Sequence, residues 1–169
     1  MQYSEKATGK MVKSTKFAIM LGGNLGNSAE IFREAVKKLA AAGCGELKMS
    51  RIYRSAPVDC VPGTPDFSDA ALTGIWPGNA LELLRLCRKL EQEAGRPADH
   101  SSRESRTLDL DLILFGDEVR NTPELTLPHP RAQQRRFVLE PLAELIPEAR
   151  FPDTGRKIEE CLRNLPPEH

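Results

Sequence analysis

The segment 107–115 (TLDLDLILF) alternates leucine with aspartate, and this alternation constrains the fold more than any other part of the chain. Side chains along a β-strand point alternately to its two faces, so the leucines share one face and the aspartates share the other. The leucines are Leu108, Leu110, Leu112 and Leu114. We therefore predict a strand over 107–115 that packs its leucine face on a core and carries Asp109 and Asp111 on the opposite face.

Asp109 and Asp111 are separated by about 6.6 Å if they occupy alternate positions of a strand. Two carboxylates at that spacing repel each other, and a cation between them removes the repulsion. Magnesium prefers carboxylate oxygens and leaves coordination positions open for substrate phosphates. The pair can also bridge the roughly 3.5–4 Å between the ions of a two-metal phosphoryl-transfer site. The alternative is a solvated edge strand, which the apolar Ile113 and Phe115 on the same face disfavour.

Hydrophobic spacing and helix caps predict the remaining elements. The predicted strands are 16–21, 47–54, 67–76 and 125–127, and the predicted helices are 28–42, 80–94, 133–145 and 158–165. Asn27 and Asn79 each precede a glutamate by three residues, which indicates capping boxes. Segment 119–120 is expected to return antiparallel after a turn at 116–117. This order favours an α+β sandwich with an antiparallel or mixed sheet.

The charge balance argues against several kinds of partner. The 169 residues contain 24 Lys+Arg and 24 Asp+Glu, so the net charge is zero. Neither non-specific nucleic-acid binding nor binding to anionic membranes fits that balance. The apolar runs are far shorter than the ~20 residues that span a bilayer. Residues 1–15 are polar, and we interpret them as a flexible extension before a single domain over 16–169.

The cysteines indicate the cellular compartment, and the arginines indicate a phosphate-containing ligand. The four separated cysteines form no CxxC pair, which favours a reducing cytoplasm over disulfides or zinc. Every cation between Lys89 and Lys157 is an arginine, and guanidinium binds phosphate in a bidentate way. Some of these arginines flank a polar segment, 96–105, that we interpret as a mobile loop. The alternative is a set of solvated side chains with no ligand.

Five segments occur in the order and spacing of a known family. They are 17–24 (FAIMLGGN), 53–57 (YRSAP), 65–71 (PDFSDAA), 106–116 (RTLDLDLILFG) and 128–142 (PHPRAQQRRFVLEPL). On these segments the chain resembles 6-hydroxymethyl-7,8-dihydropterin pyrophosphokinase of folate biosynthesis over about 16–153. The resemblance implies a ferredoxin-like α+β fold. It also implies transfer of pyrophosphate from ATP to the hydroxymethyl oxygen of the pterin, with release of AMP.

The resemblance also implies roles for individual residues. Asp109 and Asp111 would hold two Mg²⁺ ions, and Arg96 and Arg106 would act on the phosphates from the loop. The implied ATP positions are Glu91, Arg106, Leu112, Thr126, His129 and Arg135. The implied pterin positions are Gly22, Ser55, Val58, Phe67, Asp69 and Phe137, with the two phenylalanines on either side of the ring. We expect a cytoplasmic monomer that acts on ATP and a dihydropterin.

The chain departs from the family at two places. Asp69 stands where the family usually has asparagine, and a carboxylate can only accept hydrogen bonds. We expect Asp69 to pair with the edge of the pterin that carries an amine and an N–H, so that recognition survives in altered form. The loop departs at Ala98, Ser102, Arg103 and Glu104.

Two alternatives from other functional classes stay open on the sequence. One is a catalytically weakened protein that binds pterin or nucleotide on the same fold, and the intact aspartate pair argues against it. The other is an RNA-binding ferredoxin-like module. That module needs exposed aromatic side chains and a cationic face, whereas the chain is 5% aromatic and neutral.

Overall fold

The computed structural model describes residues 2–5, 11–57, 62–95 and 107–167. The strands are β1 (Gln2–Glu5), β2 (Met11–Gly23), β3 (Gly45–Met49), β4 (Tyr53–Ser55), β5 (Phe67–Trp76), β6 (Asp109–Phe115), β7 (Arg120–Asn121) and β8 (Thr126–Leu127). The helices are α1 (Ser28–Ala41), α2 (Ala80–Glu93), α3 (Arg136–Leu145) and α4 (Ile158–Arg163), and a short 3₁₀ helix (Ala132–Gln134) precedes α3.

The main sheet is antiparallel and centres on β2. This strand pairs with β5 on one side and with β6 on the other, while β3 and β4 both pair with β5. Along the chain, β2, α1, β3, β5, α2 and β6 follow the ferredoxin-like β-α-β-β-α-β order. The predicted α+β class, with helices on an antiparallel sheet, is confirmed.

The two faces of the sheet carry separate apolar cores. Helices α1 and α2 cover the first face, where Phe17, Ile19 and Leu21 of β2 pack. Helices α3 and α4 pack on the second face, against Ala18 and Met20 of the same strand. The second face changes from apolar to polar beyond Met20, where β2 approaches its end at Gly23. The second face is therefore polar at its Gly22 end, although Lys16 and Thr73 are also polar residues on this face.

A β-bulge in β6 changes which leucines share a face. The register between β2 and β6 shifts at Ile113, which is an extra residue on the β6 side. Leu114 therefore packs with Ile113 in the core of the second face, and Phe115 packs in the core of the first. The prediction for the other leucines is right, whereas the faces predicted for Leu114 and Phe115 are wrong. A bulge displaces the two-residue alternation by one.

Other strand boundaries also differ from the predicted ones. The predicted strand 47–54 is two strands, because the chain leaves regular pairing at Ser50, whose hydroxyl accepts a hydrogen bond from Ala71 N at 2.9 Å. The predicted return of 119–120 along β6 is wrong, since β7 pairs with β8. Strand β2 begins at Met11 and pairs with β1, so the predicted division at residue 16 falls inside a strand.

The helices agree better with the prediction. The capping box of Asn79 and Glu82 is present, and the Asn27 side chain accepts a hydrogen bond from Glu30 N. The helical spacing predicts Leu83, Leu84, Cys87 and Leu90 as the core of α2, and all four are buried. In α1 it predicts Ile31, Ala35, Val36 and Leu39 to face inward; Ala35 and Leu39 are buried, whereas the buried Phe32 was not predicted. Within the described ranges, no helix combines the length and the apolar character that crossing a membrane requires.

Candidate active site

Three aspartates come together at the polar end of the second face. Gly22 of β2 pairs with Asp69 of β5 on one side and with Asp109 of β6 on the other. Residues paired across antiparallel strands point to the same face, and Asp111 points there too because it lies two positions further along β6. All three side chains are half-buried. Asp109 and Asp111 therefore share a face, as the alternation predicted.

Gly22 leaves room for the aspartate on its neighbouring strand. A Cβ atom at this position would lie 3.2 Å from Asp69 Oδ1 and 3.9 Å from Asp109 Cβ. The Asp69 side chain therefore leans over the central strand toward β6. A side chain at position 22 would require Asp69 to shift by a few tenths of an ångström, so glycine at this position gives the Asp69 carboxylate room.

The three carboxylates form an acidic zone whose members act on one another electrostatically. Burial, and then the charges of Asp109 and Asp111, raises the pKa of Asp69 from 3.8 to about 7. Among the described residues, Asp69 accepts no hydrogen bond and forms no ion pair. A half-buried polar group in this state calls for an explanation, and a ligand that brings hydrogen-bond donors or positive charge supplies one.

The donor set of this zone fits magnesium. Asp109 and Asp111 offer carboxylate oxygens, the ligands that this cation prefers, and a divalent ion offsets the negative charge that surrounds them. Over the described ranges, no group of three or more His, Cys, Asp or Glu side chains is arranged to hold a metal ion. The protein would thus supply two carboxylates, and water and substrate phosphates would complete the coordination, as is usual for magnesium.

His129 lies beside the carboxylates after the end of β8. Its backbone N–H donates to Ile113 O at 3.0 Å, which fastens this segment to β6. Its Nδ1 accepts from the backbone N–H of Arg131 at 3.4 Å, so Nε2 carries the proton of the neutral ring. Burial, and then the charge of Arg135, lowers the pKa of His129, although Asp109 opposes this shift. At neutral pH the ring is an N–H donor.

Arg135 and Phe137 lie where α3 begins. The guanidinium carbon of Arg135 is 5.4 Å from the centre of the Phe137 ring. Burial, and then Arg131, lowers the pKa of Arg135, while Asp111 raises it, which shows that the cation and the carboxylates act on each other. Phe137 is 44% exposed, which is high for a phenylalanine at the start of a helix that packs on β5. An exposed aromatic ring beside a polar cluster is typical of a ligand contact.

Phe67 and Ser55 also belong to this region. Phe67 lies two positions before Asp69 on β5 and so points to the same face. Ser55 pairs with Phe67 across β4 and β5, and its side chain is exposed. Of the pterin positions implied by the resemblance, the structure thus brings together Gly22, Ser55, Phe67 and Asp69, while Phe137 lies beside Arg135 at the start of α3. Val58 lies outside the described residues.

The positions implied for adenosine have different surroundings. Glu91 and Leu112 are only 2% and 3% exposed, so neither side chain presents a surface to a nucleotide. Glu91 Oε2 accepts from Leu110 N at 2.7 Å, and Arg88 Nη1 donates to both Glu91 oxygens at 3.0 Å. Thr126 is half-buried in β8, which contacts β6. Arg96 and Arg106, like the loop departures, lie outside the described residues.

Sequence reasoning missed three residues that hold the site together. Arg88 also donates to Leu110 O at 3.1 Å, and its spacing of three from Glu91 on a helix was the available signal. Asn24 donates to Pro65 O at 3.3 Å and links the glycine turn to the segment before β5. Glu144 accepts from Tyr53 Oη at 2.8 Å and links α3 to β4. The last two contacts join distant segments and have no local signal.

Comparison with known proteins places the chain among pterin enzymes. A sequence model of the family described as 7,8-dihydro-6-hydroxymethylpterin-pyrophosphokinase matches residues 18–147. A 2-amino-4-hydroxy-6-hydroxymethyldihydropteridine pyrophosphokinase of Synechocystis sp. is 36% identical over 146 residues, which cover 86% of this chain and 73% of that protein. A mitochondrial folate synthesis bifunctional protein of Arabidopsis thaliana is 35% identical over 145 residues, 85% of this chain.

Relatives and solved structures also differ from the chain in length. The chain spans only 26% of the Arabidopsis protein, so it corresponds to about a quarter of that relative. A crystal structure of wild-type Plasmodium falciparum HPPK-DHPS with pteroate superposes with a TM-score of 0.70 and 14% identity. The superposition covers 95% of this chain and 43% of the other. At this identity the likeness establishes the fold alone.

Proposed function

We propose that this chain, which belongs to the 7,8-dihydro-6-hydroxymethylpterin-pyrophosphokinase family, transfers pyrophosphate from ATP to 6-hydroxymethyl-7,8-dihydropterin in folate biosynthesis. The observation that carries the proposal is the pair Asp109 and Asp111 on an open sheet face, with His129 and Arg135 acting on it electrostatically. Carboxylates that can hold a cation, next to N–H donors for phosphate, are the groups that phosphoryl transfer requires.

In the proposed reaction the hydroxymethyl oxygen attacks the β-phosphorus of ATP. A new O–P bond forms, and the bond between the β-phosphorus and the oxygen that bridges to the α-phosphorus breaks. AMP leaves with that electron pair, and the proton of the hydroxymethyl group passes to solvent water. No covalent intermediate with the protein is required, because this chemistry depends on positioning and charge stabilisation.

The residues of the chain take distinct parts in this proposal. Asp109 and Asp111 would hold two Mg²⁺ ions, which when bound neutralise phosphate charge and orient the reacting groups. The neutral His129 ring donates from Nε2 to a phosphate oxygen, and Arg135 adds a charged two-pronged donor. Arg96 and Arg106 contribute further phosphate contacts from the segment before β6.

The substrate ring occupies the region of the two phenylalanines. Phe67 and Phe137 stack on its faces, and Ser55, Val58 and Asp69 lie around its polar edge. Aromatic stacking holds a flat ring in one plane, and the polar groups then fix its rotation within that plane. Adenosine binds near Thr126 at the outer edge of β6, and Glu91 and Leu112, whose side chains are buried, contact it through backbone atoms.

We also propose that the chain acts as a cytoplasmic monomer. Cys44, Cys87 and Cys161 are free and buried, as expected in a reducing compartment. In the described part of the chain, the large apolar side chains that are exposed are few and lie on different segments: Leu25, Met49, Val119 and Phe137. Light scattering after size-exclusion chromatography should give 18.8 kDa, and a concentration-dependent doubling of that mass would contradict the monomer.

A direct assay tests the activity. The purified chain is mixed with ATP, Mg²⁺ and 6-hydroxymethyl-7,8-dihydropterin, and AMP and the pterin diphosphate are measured together. We expect the two products in equal amounts, no AMP without the pterin, and loss of both products with EDTA that Mg²⁺ reverses. Formation of ADP would indicate transfer of a single phosphoryl group. Pterin binding with no AMP above background would overturn the enzyme proposal and favour a binding protein.

A further inference from the structure

One carboxylate of helix α3 binds the chain at the start of strand β4. Glu144 Oε1 accepts a hydrogen bond from Tyr53 Oη at 2.8 Å, and Glu144 Oε2 accepts one from the backbone N–H of Arg51 at 3.1 Å. Both carboxylate oxygens are therefore used, and hydrogen bonds to an ionised acceptor are stronger than those between neutral groups. We call these two hydrogen bonds the Glu144 clasp.

Strand β4 forms few other contacts that could hold it in place. It is three residues long, and among the described strands it pairs with β5 alone. Segments with so few backbone hydrogen bonds open locally at low cost. Yet Tyr53 and Ser55 are paired in register with Asp69 and Phe67, so they lie on the face of the sheet that carries the region proposed for the substrate ring. The position of β4 therefore affects the shape of that region.

The clasp also restrains α3 on the side that carries Phe137. Glu144 follows Phe137 by seven residues, which is two helical turns, so the two side chains project from the same side of α3 about 10 Å apart along its axis. In the proposed site the ring lies between Phe137 of α3 and Phe67 of β5. A contact that joins α3 to β4 therefore limits how far the two walls of this site can separate.

We propose that Glu144 is a positioning residue for the ring site, and that its clasp keeps α3 and β4 at the separation that the ring requires. This inference rests on the proposed function and concerns a group that does not touch the substrate. A site that is already ordered binds more tightly, because less free energy is lost in ordering it on binding. Asp109 and Asp111 lie on β6, which β5 and β2 separate from β4. Binding of ATP and Mg²⁺ should therefore not depend on the clasp.

The side chain of Arg51 supplies a matched control for the clasp. Arg51 Nε lies 3.7 Å from Glu144 Oε1, and the guanidinium carbon lies 4.7 Å from the centre of the Tyr53 ring, but this side chain is 76% exposed. Exposed ion pairs contribute little. Arg51→Ala removes both side-chain contacts and keeps the backbone N–H that Glu144 binds. Tyr53→Phe removes one hydrogen bond of the clasp, and Glu144→Ala removes both.

The experiment measures kcat, the KM for 6-hydroxymethyl-7,8-dihydropterin and the KM for ATP in the wild type and in each variant. Glu144→Ala should raise the KM for the pterin about tenfold and Tyr53→Phe about threefold, whereas Arg51→Ala should stay within about twofold of the wild type. The KM for ATP should stay within about twofold throughout. Glu144→Gln keeps one acceptor oxygen, so its KM for the pterin should lie between those of the wild type and Glu144→Ala.

The double variant shows whether Tyr53 and Glu144 act through one contact. Tyr53→Phe combined with Glu144→Ala should raise the KM for the pterin no further than Glu144→Ala alone, because residues of one hydrogen-bonded set are not additive. A purely structural role for Glu144 would give a different result. Loss of folded protein lowers the apparent kcat and leaves both KM values unchanged, and unfolding in urea measures that loss separately.

Two results would overturn the inference. One is a KM for the pterin that is unchanged in both Tyr53→Phe and Glu144→Ala, and the other is an equal rise in the KM values for the pterin and ATP. If the wild type forms AMP from the pterin and ATP, either result defeats the inference and leaves the proposed function standing. If the wild type forms no AMP, the proposed function fails and the inference fails with it.

Discussion

The two faces of the central sheet are built from alternate residues of the same strands, yet they are covered differently. On the first face, α1 and α2 cover β2 and β6, and Leu21, Leu110 and Phe32 are fully buried. On the second face, the core of α3 and α4 includes Met20 and Ile113, and the end beyond them carries half-buried aspartates. Adjacent residues such as Leu110 and Asp111 therefore have opposite surroundings.

This difference shows how one strand can serve stability and chemistry together. The leucines gain free energy by leaving water, at about 25 cal/mol per Å² of apolar surface. The carboxylates must instead stay where a cation and phosphates can reach them, and their mutual repulsion is a cost to the folded protein. We expect substitutions on the first face to reduce stability, and substitutions at the open end of the second face to reduce activity.

The largest effect is expected at the aspartate pair. Asp109→Ala and Asp111→Ala should each lower the rate of AMP formation on the order of a thousandfold, because each removes a ligand of the catalytic cation. Unfolding in urea, measured on the same preparations, checks that each variant is folded at the assay concentration. Asp117→Ala, at an exposed carboxylate just beyond β6, is the control. A pair variant that keeps the full rate would refute the metal role.

The next largest effect is a loss of stability, and it is expected at Leu110, which lies between the two aspartates but faces the opposite side of the sheet. Leu110→Ala should reduce the free energy of unfolding by about 3 kcal/mol, because Leu110 is fully buried and its loss leaves a cavity. Denaturant titration measures this change, and Val119→Ala, at a position that is 60% exposed, should stay within about 0.5 kcal/mol of the wild type. Equal effects at the two positions would show that the first face is not the core that the burial indicates.

Substitutions of Glu91 test whether stability and activity can be changed independently. The Glu91 carboxylate accepts a hydrogen bond from the backbone of Leu110, which lies between Asp109 and Asp111. Glu91→Ala should cost about 2 kcal/mol of stability, since it leaves Leu110 N–H and the Arg88 guanidinium without this acceptor. Glu91→Gln keeps an acceptor for Leu110 and should cost less. A rise in KM for ATP in the Gln variant, with stability unchanged, would support the implied adenosine contact. Normal kinetics would indicate a role in holding β6.

The smallest effect is a pH-dependent stability difference at Asp69. Its pKa is about 7 in the folded chain and near 3.8 in the unfolded chain, so ionisation favours unfolding. This cost is absent below about pH 4, grows between pH 4 and pH 7, and is complete above pH 7. Asp69→Asn should therefore be more stable than the wild type at pH 8 and equal to it at pH 4. The change in pKa sets an upper limit of about 4 kcal/mol, which screening by solvent reduces to the order of 1 kcal/mol.

Thermal unfolding at both pH values, without Mg²⁺ or ligands, measures the Asp69 difference. Asp66→Asn removes the same formal charge at an exposed position and should show no such dependence. A stabilisation of Asp69→Asn that is equal at pH 4 and pH 8 would contradict the proposed shift, because it could not come from ionisation of the carboxylate.

Local sequence patterns predicted which residues share a strand face and where a helix begins, but not how the strands pair or which helix residues are buried. The shared face of Asp109 and Asp111 follows from a two-residue repeat, and the cap of α2 follows from Asn79 and Glu82 alone. The bulge at Ile113 had no signal in that repeat, because a bulge depends on how two strands pair. Phe32 was missed although it lies on the inward side of α1, because the inward face was assigned to Ile31, Ala35, Val36 and Leu39, of which Ile31 and Val36 are only partly buried.

Short-range spacing in the amino-acid sequence is enough to establish the acidic strand, the helix starts and the class of the fold, because each depends on neighbours within one element. The meeting of Asp69, Gly22 and Asp109 is different, since three strands far apart in the chain must pair in one register. Only that register places like charges together and raises the pKa of Asp69. Burial and electrostatics depend on distance in space, which tertiary packing decides and local sequence does not encode.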